Sequence, residues 1–358
     1  MARIGEVVER IHELEKARKS AAERIKESEN RFVNSEVFLE DRLVTKVAEK
    51  AVDLDGLSVA GVDGGLVKKE YAGVDIVVSR AVASFFEYSG GSLSDSYTLP
   101  KIVGSPEVDF IESPLDIRSF NLSSSYIRLK KEVGRAIRAL EENPDIVLMD
   151  GSIIPQYAER PEKGTEARKL YDSMVEKFRE LLKKSEEKEV LLAGVIEDSR
   201  SKRLSEAIGG QAVDGSTFGN VLKNTRDTNL LEYLMDKGFR TSVMSFAKDY
   251  EKHMVLNDIG EKGKEVYSFY LKTAEEATPV RIDFFNILGV SETADKVSEI
   301  LIPLCCYSST YGIPSVLVDA DSRAKLSSKD IEMLESKISS VIGPLPGLKG
   351  LRRNNRPF

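Results

Sequence analysis

The chain has 358 residues, of which 41% are hydrophobic, and a formal net charge of −7. No apolar stretch approaches the ~20 residues that cross a membrane. The negative net charge argues against a protein that coats nucleic acid non-specifically, but it does not exclude a locally basic channel. With only His12 and His253 available, a mechanism built on a histidine base is nearly excluded. The first residues are charged and give no sign of a secretory signal, so we expect a cytoplasmic protein.

Hydrophobic periodicity predicts a long amphipathic helix at the start of the chain, followed by strands. The helix is expected to dock on its own domain or on a second subunit. Three glycines around Asp63 predict a turn after the first strand, and Asn143-Pro144 breaks the next helix. The predicted elements of this half are a helix at 3–30, strands at 57–63 and 73–86, a helix at 116–142 and a strand at 146–149.

The second half alternates between helices and strands. Residues 209–229 are polar and rich in glycine, which predicts a functional or mobile loop. The other predicted elements are helices at 165–188, 201–208, 292–309 and 328–341, strands at 189–196 and 315–321, and a hairpin of 266–271 with 280–285. Three regions follow: an N-terminal helix over 1–35, a main domain over 36–343 and a basic tail over 344–358.

Three apolar, strand-like runs end in an aspartate, and this is the most informative pattern in the chain. The acids are Asp63, Asp150 and either Asp319 or Asp321. An acid at the end of a buried strand is a poor core residue but a good ligand for a hard divalent cation. Acids converging at one sheet edge would hold Mg²⁺ or Mn²⁺ over a phosphate, although each aspartate before a glycine also fits a simple turn.

Other charged residues have both a functional and a structural interpretation. Glu132 precedes Asp150 in the helix that feeds its strand, but its charge run is also typical of a solvated face. Asp319 and Asp321 would share one side of a strand, while Asp319 could instead cap a following helix. The basic group that follows the strand at 189–196 could line a phosphate path or simply begin a solvated helix; it comprises Arg200, Lys202 and Arg203.

Strands followed by alternating strand and helix units predict an α/β fold with a mixed sheet and helices on both faces. Acids on the first, a middle and the last strand match the ribonuclease H-like arrangement. In that arrangement the first and fourth strands are neighbours, so Asp63 and Asp150 are expected to meet.

Taken together, these segments resemble the NurA nuclease family of archaea and some bacteria. The resemblance runs from about residue 57 to 330 and rests on order and spacing. The segments that carry it are 61–65 (Gly-Val-Asp-Gly-Gly), 148–152 (Leu-Met-Asp-Gly-Ser), 193–199 (Ala-Gly-Val-Ile-Glu-Asp-Ser) and 312–314 (Gly-Ile-Pro) leading to Asp321.

The resemblance implies a ribonuclease H-like fold, a toroidal homodimer and Mn²⁺-dependent DNA cleavage, with Mg²⁺ as the alternative ion. The implied activities are 5′–3′ exonuclease and single-strand endonuclease, acting with a HerA-like hexameric ATPase in DNA end resection and double-strand break repair. By position, the family's metal ligands fall on Asp63, Glu132 and Asp150.

The end of the motif series departs from the family pattern. Where the family has a tyrosine followed eight residues later by a histidine, this sequence has Ile313 and Asp321. Asp321 can still bind a hard cation. Tyr311 or Tyr307 could replace the missing hydroxyl, and Tyr311 is also a candidate DNA contact.

Two alternatives to a nuclease stay open from the sequence. One is an actin-like ATPase or sugar kinase, in which Asp-Gly-Gly turns hold phosphates, although no second phosphate loop is found. The other is a non-catalytic or weakly active clamp that regulates a HerA-like motor after losing the tyrosine and histidine.

Overall fold

The structure is a computed structural model. It describes residues 2–28, 32–33, 37–47, 54–71, 73–103, 105–111, 116–155, 160–211 and 217–343. The tail predicted at 344–358 lies outside these residues, and the domain boundaries at 35 and 343 stay predictions. Within the described part of the chain, no helix combines the length and the apolar character that crossing a membrane requires.

The helices and strands build one mixed sheet with helices on both faces, as predicted. The strands are β1 (Val44–Lys46), β2 (Ser58–Glu70), β3 (Asp75–Ser89), β4 (Ser92–Leu99), β5 (Glu107–Ile111), β6 (Ile146–Asp150), β7 (Leu191–Ile196), β8 (Phe239–Thr241), β9 (Met244–Ser245), β10 (Val266–Leu271) and β11 (Val280–Phe285). The α-helices are α1 (Ala2–Glu27), α2 (Ile117–Glu141), α3 (Glu166–Lys188), α4 (Arg203–Gly210), α5 (Thr217–Lys223), α6 (Asp227–Leu234), α7 (Met254–Ile259), α8 (Val290–Leu304), α9 (Ser315–Ala324) and α10 (Ser328–Ile342).

The sheet order is β1-β8-β10-β11-β7-β6-β2-β3-β4, with β5 also on β3 and β9 also on β10. Strands β2, β6 and β7 run parallel to one another, and the other described pairings are antiparallel. The neighbouring positions of β2 and β6 confirm that the first two acid-bearing strands lie side by side. The hairpin of β10 and β11 has the predicted bounds.

Side chains alternate between two cores, one on each face of the sheet. Val62 and Met149 face a core shared with α2 and α3. Val59 and Leu148 face the other core, shared with α8 and α9. The sequence explains the boundaries of α2, because Asp116 accepts hydrogen bonds from two main-chain N–H groups at its start and Asn143 adopts a positive φ of 52° just after its end.

Two sequence predictions are wrong at the level of elements. The run at 315–321 is not a strand but the beginning of α9, in which Val316, Leu317, Ala320 and Ala324 are buried at helical spacing. The polar stretch at 209–229 is not one loop, because it holds all of α5 and the start of α6; only residues 212–216 of it lie outside the described chain. In both cases, packing against the sheet or α1 supplies the order that the local sequence did not suggest.

Helix α1 is divided between a buried and an exposed part. Ala21, Ala22 and Ile25 are buried against α5 and α6, in a third core beside the sheet edge. The earlier apolar residues of the same stripe, including Ile4 at 70% exposure, face solvent in the single chain. The expected docking on its own domain is therefore confirmed for the second half of the helix only.

Candidate active site

Asp63 and Asp150 lie side by side on neighbouring parallel strands. The register of β2 and β6 pairs Val62 with Met149, and each acid is the next residue of its strand. The predicted turn after Asp63 is wrong, since β2 continues to Glu70 in antiparallel pairing with β3. Asp63 therefore lies level with the end of β6, whereas its own strand β2 continues beyond it in the sheet.

The glycines next to Asp63 make room for two helices instead of forming a turn. A Cβ at Gly61 would lie 2.7 Å from the main-chain oxygen of Val316 in α9, and one at Gly64 would collide with the Glu132 carboxylate. A Cβ at Gly65 would meet the main-chain oxygen of Ala324. Close approach of α2 and α9 to this strand thus depends on missing side chains.

Glu132 reaches the aspartates from α2 and is not on a solvated face. It is 2% exposed, and its Oε1 accepts a hydrogen bond from Arg128 at 2.6 Å. Burial, together with the charges of Asp63 and Asp150 and against the lowering effect of Arg128, raises the pKa of Glu132 to about 8. The buried carboxyl is therefore held among like charges.

The two strand aspartates show the same electrostatic pattern. Desolvation, followed by the charges of Asp63, Glu197 and Asp321, raises the pKa of Asp150 to about 7. The pKa of Asp63 is also raised, mainly by burial and then by Asp321, although the main-chain N–H of Gly64 lowers it. Mutual repulsion thus links five carboxylates that come from β2, α2, β6, the end of β7 and α9.

Helix α9 separates the two candidates for the last acid. Asp321 lines a cavity of about 150 Å³ together with Asp150. Asp319 instead pairs with Arg323 at 2.7 Å, one helical turn away. Residues that are two positions apart on a helix point in different directions, so the prediction that Asp319 and Asp321 share one side of a strand is wrong. The prediction that Asp319 caps a helix is also wrong, because Asp319 lies inside α9.

Sequence reasoning missed Glu197 as a site residue. It follows β7 directly, lines the same cavity and accepts a hydrogen bond from the Tyr311 hydroxyl at 3.1 Å. Because β7 lies beside β6, the sheet-edge argument used for Asp150 also applies to the acid after β7. Tyr311 is 49% exposed at the rim, whereas Ile313 is buried in the cavity wall.

The candidate phosphate contacts are not brought into this cavity. Arg200 is exposed, and Lys202 is half-buried just before α4. The Arg203 guanidinium donates to the main-chain oxygens of Ser245 and, at 2.7 Å, Phe246. Burial lowers the pKa of Arg203 to about 10. Of the four residues considered, only Tyr311 lines the cavity with the acids.

The five carboxylates are the kind of ligand that a hard divalent cation prefers. All five carboxylates offer oxygen ligands, which Mg²⁺ prefers. A cation would also offset the repulsion that helps to raise the pKa values of Asp63, Glu132 and Asp150. In the described residues, no three Asp, Glu, His or Cys side chains stand in a ready-made metal-ligand arrangement. The fit is therefore one of ligand type and charge.

Comparison with known proteins identifies the family. The model of the NurA domain matches residues 57–326, a range that includes all five acids. No curated protein matches the chain. The fold is similar to the crystal structure of the NurA nuclease from Sulfolobus solfataricus, with a TM-score of 0.55 and 16% identity over 95% of this chain and 99% of that one.

A crystal structure of NurA bound to dAMP and manganese is equally similar in fold. Its TM-score is 0.55, with 13% identity over 98% of both chains. A further NurA crystal structure gives a TM-score of 0.52 and 11% identity, over 97% of this chain and 99% of that one. The domain match covers well over half of the sequence, and each of the three matched structures covers 95% or more of this chain. The chain belongs to the NurA family.

Proposed function

We propose that this protein is a metal-dependent deoxyribonuclease whose site is built by Asp63, Glu132, Asp150 and Asp321. The observation that carries the proposal is the cluster of these acids, whose charges repel one another beside the cavity lined by Asp150 and Asp321, in a chain of the NurA family. Clustered carboxylates whose pKa values are raised by burial and by one another are typical of a functional site. The manganese and dAMP bound in a similar structure support Mn²⁺ as the ion and a nucleotide as the ligand class.

The four acids would hold the ion, and the other residues would place the substrate. When bound, Mn²⁺ or Mg²⁺ supplies Lewis-acid stabilisation of phosphate charge and a more acidic water. Arg128, paired with Glu132, keeps that buried carboxyl oriented. The ring of Tyr311 at the rim would stack on a base, since base–aromatic stacking tolerates any sequence. Glu197 fixes the position of that ring through the tyrosine hydroxyl.

The family membership also supports finer parts of the proposal. We assign 5′–3′ exonuclease and single-strand endonuclease activity, in DNA end resection with a HerA-like hexameric ATPase. The ribonuclease H-like interpretation is supported by the parallel pairing of β2 with β6 and by the acid on a late helix. A homodimer is supported by the exposed apolar part of α1.

Labelled DNA incubated with Mn²⁺ tests the central claim. The wild type is expected to release nucleotides from single-stranded and double-stranded DNA, and Asp63→Asn and Asp150→Asn are expected to release none. Asp319→Asn is the matched control, because Asp319 pairs with Arg323 outside the cavity. Full activity in both site variants would contradict the assignment.

The regulatory clamp is a second candidate, favoured by Ile313 and Asp321 at the positions of the family's tyrosine and histidine. It predicts that the wild type leaves DNA intact with Mn²⁺ yet changes ATP hydrolysis by a HerA-like hexamer. Release of ADP from ATP by this protein alone would instead indicate the actin-like alternative. The same DNA and ATP assays, with and without the hexamer, separate the three functions.

A further inference from the structure

The turn that follows Asp150 is attached to a buried ion pair on the opposite side of the sheet from the cavity. The Ser152 hydroxyl donates to Oδ2 of Asp283 in β11 at 2.5 Å and accepts from the main-chain N–H of Ile154 at 3.2 Å. Asp283 is fully buried, and its other oxygen accepts from Arg281 at 2.8 Å. A hydrogen bond to an ionised, buried acceptor is about twice as strong as a neutral one.

The contact between the turn after β6 and Asp283 of β11 passes over the intervening strand β7 at a glycine. Gly194 of β7 pairs with Asp283 in the sheet register, and a Cβ on Gly194 would collide with the main-chain oxygen of Gly151. The Gly151 N–H donates to the main-chain oxygen of Val195 at 2.9 Å. Ser152 therefore reaches Asp283 only because the turn lies directly on the bare backbone of β7.

We propose that Ser152 and Asp283 are positioning residues that hold the main chain after Asp150, and so set the direction of the Asp150 carboxylate. This inference rests on the proposed function, because it concerns a residue of the proposed metal site. Neither Ser152 nor Asp283 lines the cavity, so they act through the backbone. Asp150 lies two residues before Ser152 and shares a side-chain hydrogen bond with Asp63.

Residues that hold the ligands of a metal site in place usually change metal affinity or activity by about 10–100-fold when they are removed. Ser152→Ala deletes one hydroxyl and leaves the ion pair of Asp283 in place. It is expected to weaken Mn²⁺ binding by about 10-fold or more, and Ser152→Thr, which keeps the hydroxyl, is expected to restore most of it. Ser185→Ala is the matched control, because it deletes a serine bond to Val190 at the far end of β7.

The experiment is a calorimetric titration of each full-length variant with Mn²⁺, combined with its melting temperature and its cleavage of labelled single-stranded DNA. The expected pattern is loss in Ser152→Ala, recovery in Ser152→Thr and wild-type binding in Ser185→Ala, with all three variants folded. If Asp63→Asn loses Mn²⁺ while Ser152→Ala binds it like the wild type, the positioning role is overturned and the proposed function stands. If the wild type neither binds Mn²⁺ nor cuts DNA, both are overturned.

Discussion

The charge of one buried side chain determines how the site responds to pH. Glu132 titrates near 4.5 when it is free of the fold, and its pKa in the folded chain is about 8. Between these values the folded state binds a proton that the unfolded state has released, so the free energy of unfolding falls as the pH rises. Above about pH 8 both states are ionised, and the folded chain holds a buried negative charge among other acids.

The metal-free protein is therefore expected to melt at a lower temperature at pH 8 than at pH 5. Glu132→Gln removes the titrating group, so its melting temperature should depend less on pH and exceed that of the wild type at pH 8. Differential scanning calorimetry in a chelating buffer measures both chains. A wild-type curve that stays level from pH 5 to 8, or equal slopes for the two chains, would contradict the raised pKa of the buried Glu132 carboxyl.

The two aspartates of α9 should behave differently when they are neutralised. Asp321→Asn removes one charge from the cavity and is expected to weaken Mn²⁺ binding strongly, while Asp321→His restores part of it. Asp319→Asn breaks only an exposed pair with Arg323, which is worth about 0.3–0.5 kcal/mol. The rise in melting temperature on adding Mn²⁺ reports the binding. Loss of that rise in Asp319→Asn, with retention in Asp321→Asn, would reverse the assignment.

At the scale of elements, the glycines of β2 support the site because they let two helices approach the strand closely. The helices α2 and α9 lie on opposite faces of this strand, and each is in contact with the backbone of a glycine. The positions of the acids on both helices depend on the distance between each helix and β2, because each helix moves as a unit with the acid it carries. A side chain added to β2 would displace an element and the acid on it together.

Gly61→Ala is expected to destabilise the protein by about 1–3 kcal/mol, because its Cβ would lie 2.7 Å from the Val316 oxygen. It should also reduce cleavage, since α9 carries Asp321. The control is Gly134→Ala in the middle of α2, where no atom lies within 4 Å of the new methyl group and a gain of about 0.5–1 kcal/mol is expected. Urea denaturation of the two variants measures the difference. Equal stability of Gly61→Ala and the wild type would contradict the close packing.

Prediction from sequence succeeded where a local pattern and the tertiary environment agreed. The apolar run at 146–149 and the segments 266–271 and 280–285 gave the right strands because these short apolar runs are almost wholly buried within the sheet. It failed at 315–321, where Val316, Leu317 and Ala320 fit both a short strand and a helix. Glu197 was missed because its role depends on which strands are neighbours.

At the scale of the whole molecule, the exposed half of α1 is an apolar surface that the described residues of the chain leave uncovered. Ile4, Val8 and Ile11 are all exposed, and their carbons would be covered in a symmetric pair of α1 helices. The acidic net charge of the chain opposes association in general, so a dimer would have to come from such a local apolar contact.

The double variant Val8→Glu with Ile11→Glu is therefore expected to be a monomer, and the wild type is expected to be a dimer. Light scattering coupled to size-exclusion chromatography gives the masses. Lys16→Glu with Lys19→Glu places the same two charges on exposed polar positions of α1 and should stay dimeric. A monomeric wild type, or an unchanged dimer in the apolar-face variant, would show that α1 does not join two copies.

The acids of the proposed site are far apart along the chain, and this has a consequence for protein synthesis. Asp63, Glu132 and Asp150 leave the ribosome long before α9 is made, and domains fold in the order in which their contacts become available. The last acid can join the others only when α9 packs against β2 and β3. For the proposed nuclease, the growing chain therefore lacks a complete site for most of its synthesis, and it becomes competent to cut DNA only at the end of translation.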